Sequence, residues 1–269
     1  MLLVHVGLCS LLWKGLITEL APRFRCITLD VPGSGLSGPA PASPAAASDA
    51  IGRFIDRLDL RDVTLAVHDT GGWATMAAVG AERSRAERVS RVVAVNTFGW
   101  SPRGVLRLAL LFMGSTVIRE LTVWTGFLAW GSATRFGVGR HFDRATKRAW
   151  RRCLRPHSQR RFLHHMFAGA AKDRATSQAA ERGIAALADR PTMTVFGRFG
   201  DYFLFRRGWR RIRPAMTDVT VPWGLHFPQS DNPALVARTI IEWRRNASAA
   251  EPTNAAATSA TRSALSEKK

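Results

Sequence analysis

Asp69 lies in the run VTLAVHDTGGW, residues 63 to 73, where a buried-looking apolar segment ends at His68-Asp69-Thr70 and passes through Gly71-Gly72 into a helix-forming stretch. A strand that turns this sharply into a helix holds its apex side chain in a strained backbone conformation, and small neighbours let the bend close. That geometry presents a nucleophile, and here the apex residue is a carboxylate. The helix N-terminus beyond it supplies free N–H groups and a positive dipole end. The same residues would also serve as a plain helix N-cap, so the segment alone fits either role.

Four further segments place reactive side chains at strand ends. VHVGLCSLLW (4–13) runs from a strand into the loop His5-Val6-Gly7, and CITLDVPGSGLSG (26–38) is a strand entering a glycine-rich turn. TMTVFGRFGDYF (192–203) carries Asp201 just beyond a strand, and VTVPWGLHFPQSDNP (219–233) carries His226 before a helix-opening Asn-Pro. Carboxylates and an imidazole at strand ends are the parts needed for a covalent nucleophile with acid–base support. The PGSGLSG turn is neither a P-loop nor a GxGxxG that leads at once into a helix, which argues against a phosphate cradle.

The elements that must position these residues alternate. Apolar β-rich runs at Leu2 to His5, Cys26 to Asp30, Val63 to His68 and Val92 to Asn96 are separated by helical stretches, the pattern of a parallel sheet covered by helices. Unbroken runs such as VTLAV and RVVAV read as strands buried on both faces. From 101 to 187 the β pattern gives way to helical sequence with interleaved aromatic and arginine residues. Strands return at Thr192 to Gly197 and Val219 to Val221, with a helix near Pro233 to Arg245. Residues 1–100 and 188–246 are therefore expected to form the core, 101–187 a separate helical layer, and 247–269 a disordered tail with no hydrophobic period.

The chain has 269 residues, 46% of them hydrophobic, enough for a sizeable core without a metal or disulfide staple. Its three cysteines, Cys9, Cys26 and Cys153, are odd in number and far apart, and read as reduced thiols of a cytoplasmic protein. The formal charge is +19. Segment 101–187 carries 16 Lys or Arg against 4 Asp or Glu, so 16 − 4 = +12 of that charge resides there. Such a field attracts polyanions without specific contacts, yet no zinc-finger, RRM or KH signature accompanies it, and arginine bias over lysine needs no binding function. The apolar stretch 104–134 is interrupted by Arg107, Arg119 and Glu120, too often for a membrane span. The expected partner is a small-molecule substrate, with no nucleic acid and no integral membrane segment.

Taken together, LAPRFRCITLDVPGSGLSG, VTLAVHDTGGW and VVAVNT resemble the α/β-hydrolase superfamily, within it the haloalkane dehalogenase and epoxide hydrolase branch that uses an aspartate nucleophile. The resemblance runs from about residue 2 to 245 with a poorly matched middle. It implies an α/β-hydrolase fold, a mostly parallel sheet flanked by helices, with 101–187 as an inserted cap and no cofactor or metal. The family's nucleophile falls on Asp69 and its base on His226. No carboxylate follows VVAVNT closely, so the resemblance assigns the supporting acid to Asp201, and the oxyanion donors to the backbone N–H groups of Val6 and Thr70. The implied reaction is cleavage of a carbon–halogen bond through an aspartyl ester that a His-activated water hydrolyses. Epoxide opening and a degenerate, non-catalytic member are the alternatives. Three departures stand out. Thr70 follows the nucleophile where the family has a halide-binding tryptophan, and the HVGL loop lacks the family's asparagine. The loop also begins at residue 5, so the family's first two strands are expected to be missing.

Overall fold

The structure is a computed structural model that describes residues 1–250. Six parallel strands form one sheet: β1 (Leu2–His5), β2 (Ile27–Leu29), β3 (Val63–Asp69), β4 (Val89–Thr97), β5 (Thr192–Gly197) and β6 (Thr217–Val221), in the order β2-β1-β3-β4-β5-β6. The expected strands fall in these places, and β2, from the Cys26 to Asp30 run, is an edge strand. Parallel strands need helical crossovers, which bury both faces of the central strands and account for their continuous apolar sequence. β3 and β4 are buried along almost their whole length.

Helix α1 (Lys14–Leu20) follows a short 3₁₀ turn at Ser10–Trp13, and α2 (Pro44–Arg57) starts at a Ser43 cap. Helix α3 (Thr70–Ala81) leaves the end of β3 and is buried from Thr70 to Val79, which is why its sequence is apolar on every face. The short α4 (Arg83–Glu87) leads to β4. The region 101–187 is helical, as expected: α5 (Gly104–Met113), α6 (Thr116–Thr125), α7 (Phe127–Gly131), α8 (Arg144–Cys153), α9 (His157–Lys172) and α10 (Arg174–Ala186). Of these, α10 packs against α3 so tightly that a side chain at Gly80 would meet the Ala179 carbonyl, and one at Gly183 the Met76 carbonyl. Helices α11 (Phe205–Ile212) and α12 (Pro228–Asp231) follow β5 and β6. Residues 1–237 form one compact unit; the described part of a second unit, beginning at Arg238, is the remainder of α13 (Pro233–Ala250). Of the expected tail, 247–250 continue this helix and 251–269 lie outside the described residues. Among the described residues no helix is long and apolar enough to cross a membrane.

Two buried histidines meet under the sheet's carboxyl edge. β1 and β3 pair in register at His5 and His68, whose Nδ1 atoms lie 3.1 Å apart. His68 Nε2 is 2.9 Å from the His226 carbonyl oxygen, so it must donate there. That leaves His68 Nδ1 as a bare acceptor for His5 Nδ1–H, with both rings neutral. Burial lowers the pKa of His5 to about 4, the neighbouring Asp69 carboxylate opposing the shift, and burial lowers that of His68 as well. A proton added to His68 Nδ1 would set two N–H groups against each other.

Acid should therefore unfold this protein by way of its core. A histidine that titrates near 6.5 when unfolded and near 4 when folded binds more protons in the unfolded state across that interval, so stability is full above about pH 6.5 and falls as pH drops toward 4. His5 alone corresponds to a loss of about 2–3 kcal/mol by pH 4.5, at about 1.36 kcal/mol per pH unit. Urea titrations at pH 7 and 4.5 measure this loss, which His5→Asn should reduce; equal pH dependence in the two proteins would contradict it.

Candidate active site

Asp69 closes β3 with φ 51° and ψ −135°, a left-handed conformation that a non-glycine residue adopts only when its surroundings enforce it. Those surroundings are close-packed. A Cβ on Gly71 would come within 2.7 Å of the His5 Cα, and one on Gly72 within 2.0 Å of Thr97 Oγ1. The two glycines thus let α3 pass directly over β1 and β4. Thr97 Oγ1 donates to the Asp69 carbonyl at 2.5 Å, and Trp209 Nε1 donates to the Thr97 carbonyl at 2.7 Å, fixing the far side of the bend. Among the alternatives for Asp69, the N-cap has no support here: its side chain makes no capping hydrogen bond to α3.

The carboxylate points instead to His226, in the loop between β6 and α12, with 3.4 Å between Asp69 Oδ2 and His226 Nε2. Both side chains are partly open, 18% exposed for Asp69 and 22% for His226, so a small molecule can reach them. Burial pushes the Asp69 carboxyl up, but the hydrogen bond from His226 outweighs it and holds the group well below the usual carboxylate range. The Asp69 carboxylate is ionised at neutral pH.

The loop His5-Val6-Gly7 sits beside this pair. Gly7 has φ 101°, a conformation that suits glycine, and a Cβ there would also run into Leu163 of α9. Thr70 Oγ1 donates to the Val6 carbonyl at 3.0 Å, tying the loop to the first turn of α3. Thr70 is the first residue of that helix, so its N–H has no intrahelical acceptor by construction. Asp30, from the CITLDVPGSGLSG segment, braces the other side: its carboxylate accepts from Ser10 N–H at 2.7 Å and Leu36 N–H at 2.9 Å.

Asp201 is placed differently from the other two members of the expected triad. Its carboxylate accepts from the N–H groups of Phe205 (2.7 Å) and Arg206 (3.2 Å), capping the start of α11, and burial raises its pKa. Among the described residues no hydrogen bond or ion pair joins it to His226. The neighbour of His226 Nδ1 is Asn96, 3.1 Å away, at the end of β4 with φ 38°. Asn96 Nδ2 also donates to the Gly200 carbonyl (2.9 Å) and the His226 carbonyl (3.0 Å). Two carbonyl acceptors fix the amide so that its nitrogen, not its oxygen, faces the ring. Gly200 comes this close because it has no side chain: a Cβ would lie 2.0 Å from the Leu225 carbonyl and 2.7 Å from His226 N. The Tyr202 ring lies parallel to that of His226, their centroids 6.2 Å apart, and is largely exposed.

Asn96, His68 and Asp30 are the site residues that motif reading passed over. Asn96 carried one signal, a polar residue closing the otherwise apolar run VVAVN. The curated relatives include a haloalkane dehalogenase 2 of Mycobacterium bovis, 29% identical over 245 residues, with 87% of this chain and 83% of the relative covered. Another is a cis-3-alkyl-4-alkyloxetan-2-one decarboxylase of Xanthomonas campestris pv. campestris, 28% identical over 234 residues, covering 76% and 73%. A crystal structure of a haloalkane dehalogenase loop variant from Bradyrhizobium elkanii superposes with a TM-score of 0.76 at 18% identity, covering 94% of this chain and 91% of that one, which shows the shared fold. The family model described as alpha/beta hydrolase family matches residues 1–239. With an elbow at the end of β3 and a histidine in the loop after β6, this chain belongs to the alpha/beta hydrolase family.

Proposed function

We propose that the protein attacks an sp3 carbon with Asp69, displaces a leaving group and forms an alkyl ester on the enzyme, in the manner of a haloalkane dehalogenase. The observation that carries this reading is the ionised Asp69 carboxylate at a strained elbow, 3.4 Å from a histidine. A carboxylate is a competent nucleophile toward carbon bearing a halide, and its ester is cleaved by a water that His226 deprotonates. In that second step the N–H groups of Val6 and Thr70 stabilise the tetrahedral oxyanion, each donor contributing roughly 3 kcal/mol. No cofactor enters either step.

His226 works without a carboxylate at Nδ1 in this scheme. With Asn96 Nδ2 facing Nδ1, the resting ring carries its proton on Nε2 and donates to Asp69. To act as base it must present an Nε2 lone pair, and no carboxylate at Nδ1 then holds that tautomer or stabilises the imidazolium that forms. Ester hydrolysis is therefore the slow half of turnover.

A second reading rests on Thr70. Its hydroxyl is buried and committed to the Val6 carbonyl, so the position after the nucleophile offers no side-chain donor to a departing halide. The same Asp69 can open an oxetan-2-one at its ring sp3 carbon, where the leaving group is a carboxylate that stays attached. Loss of carbon dioxide from that ester then forms the carbon–carbon double bond and expels Asp69 as the free carboxylate. That sequence consumes no water and needs no histidine base. It agrees with the named activity of the Xanthomonas relative.

The two readings separate in ¹⁸O-labelled water. With 1,2-dibromoethane, bromide release with label appearing in the Asp69 carboxylate supports the hydrolytic route, and His226→Ala should hold the ester for mass analysis while lowering turnover about 10²–10⁴-fold. With a 3,4-dialkyl-oxetan-2-one, alkene formation without label, little affected by His226→Ala, supports the second. Silence toward both substrates, with no ester on the variant, leaves a non-catalytic family member.

Asn96→Asp provides an independent check of the slow step. A carboxylate beside His226 Nδ1 fixes the productive tautomer and stabilises the imidazolium, so rapid-quench measurements should show faster ester hydrolysis, by about tenfold if the ring gains one pKa unit, with ester formation unchanged. Slower hydrolysis in the variant would show that Asn96 is not the residue limiting this step.

A further inference from the structure

Cys9 and Cys153 stand 144 residues apart in the chain, yet their Sγ atoms lie 2.7 Å from each other. Cys9 follows the oxyanion loop Val6-Gly7 by two residues and opens the 3₁₀ turn Ser10–Trp13; Cys153 is the last residue of α8 in the helical layer. Both are buried, whereas Cys26, on the edge of the sheet, is half-buried. A covalent S–S bond is about 2.05 Å long, so about 0.7 Å of movement separates this contact from a bond. We propose that Cys9 and Cys153 are a disulfide-forming pair that joins the helical layer to the loop carrying Val6.

The surroundings hold the two sulfurs in place from both ends of α8. At its start, Lys14 Nζ of α1 donates to Thr146 Oγ1 at 2.6 Å and pairs with Asp143 at 3.6 Å. Near its end, Trp150 is fully buried and its Nε1 donates to Ser132 Oγ at 2.9 Å. The helix is fixed against the core at its first turn, and a disulfide at its last residue would fix the other end. Hydrogen bonding from Cys9 lowers the pKa of Cys153 and raises that of Cys9, so Cys153 is the thiol that ionises first. Its thiolate attacks a low-molecular-weight disulfide such as oxidised glutathione, releasing one small thiolate and leaving a mixed disulfide. The Cys9 sulfur, losing its proton, then displaces the second small thiolate. One protein S–S bond forms, one small-molecule S–S bond is reduced to two thiols, and no other reactant is required. Separation of the two cysteines in sequence closes a long loop, the case in which a cross-link constrains the unfolded chain most.

The test refolds the full chain from reduced denaturant in a glutathione redox buffer, which removes burial as a barrier to the oxidant. The expected product has one titratable thiol per chain instead of three, a mass lower by two hydrogens, and a non-reduced digest in which the peptide of Cys9 is linked to that of Cys153. Its thermal midpoint should lie about 5–10 °C above that of the reduced protein. Cys26→Ser should keep the cross-link and the shift; Cys9→Ser and Cys153→Ser should each lose both. Three free thiols after refolding, glutathione adducts in place of the link, or bonds made through Cys26 would each overturn the proposal, and the Cys26→Ser protein decides it even where the other two variants fold poorly.

Discussion

A backbone conformation that aspartate does not favour is the constraint on which this site depends. Asp69 reaches φ 51° because the chain must leave a strand buried on both faces and enter a helix lying over two neighbouring strands within one residue. The strain is held by contacts that admit no side chain, Gly71 over the His5 backbone and Gly72 over Thr97. It is held as well by hydrogen bonds from Thr97 to the Asp69 carbonyl and from Trp209 to the Thr97 carbonyl. In return the carboxylate stands clear of its own helix, faces His226 and stays ionised.

The histidine side of the site is built with less charge. In place of a carboxylate on Nδ1 the fold supplies an amide, and that amide is itself fixed by the carbonyls of Gly200 and His226. The loop that brings Gly200 there also sends Asp201 to cap α11, where two N–H groups occupy its oxygens. The same short segment cannot do both: with the Gly200 backbone pressed on His226 N, the next side chain is directed toward the helix start. This arrangement leaves the Asp69 carboxylate facing His226 while the far side of the ring meets an uncharged amide.

Strands and the elbow were legible in the sequence because their signals are local. Apolar runs such as VTLAV and RVVAV, bounded by turn residues, leave little choice once both faces are buried, and HDTGG at a strand end has few uses. Asp201 and Asn96 were not separable in that way. One closes a strand and the other follows one, and which of them meets His226 depends on how closely two distant segments pack, through a glycine whose role is visible only when the Leu225 carbonyl is beside it. The cysteines show the same limit from the other side: 144 residues of separation read as three unrelated thiols, and tertiary packing brings two into contact. The neighbour of His226 Nδ1 and the contact between Cys9 and Cys153 are long-range facts, set by packing and absent from periodicity.

The helical layer is keyed to the turns at Gly7 and Gly33 by glycine. Leu163 of α9 occupies the space a side chain at Gly7 would take, and Phe162 does the same at Gly33 in the turn that Asp30 braces. A helix engaged at both turns cannot lift away without emptying two packed positions. Much of the layer's positive charge has structural work of this kind. Arg160, buried, donates to the Leu154 and Arg155 carbonyls where α8 ends, and Arg161 pairs with Glu120 across to α6. A guanidinium bound to carbonyls at a helix end, or neutralised by a carboxylate, projects little field into the site. The layer's net charge of +12 already counts such ion pairs as neutral, so it resides on the arginines and lysines outside them. The contacts at Gly7 and Gly33, by contrast, are made by apolar side chains seated on bare backbone.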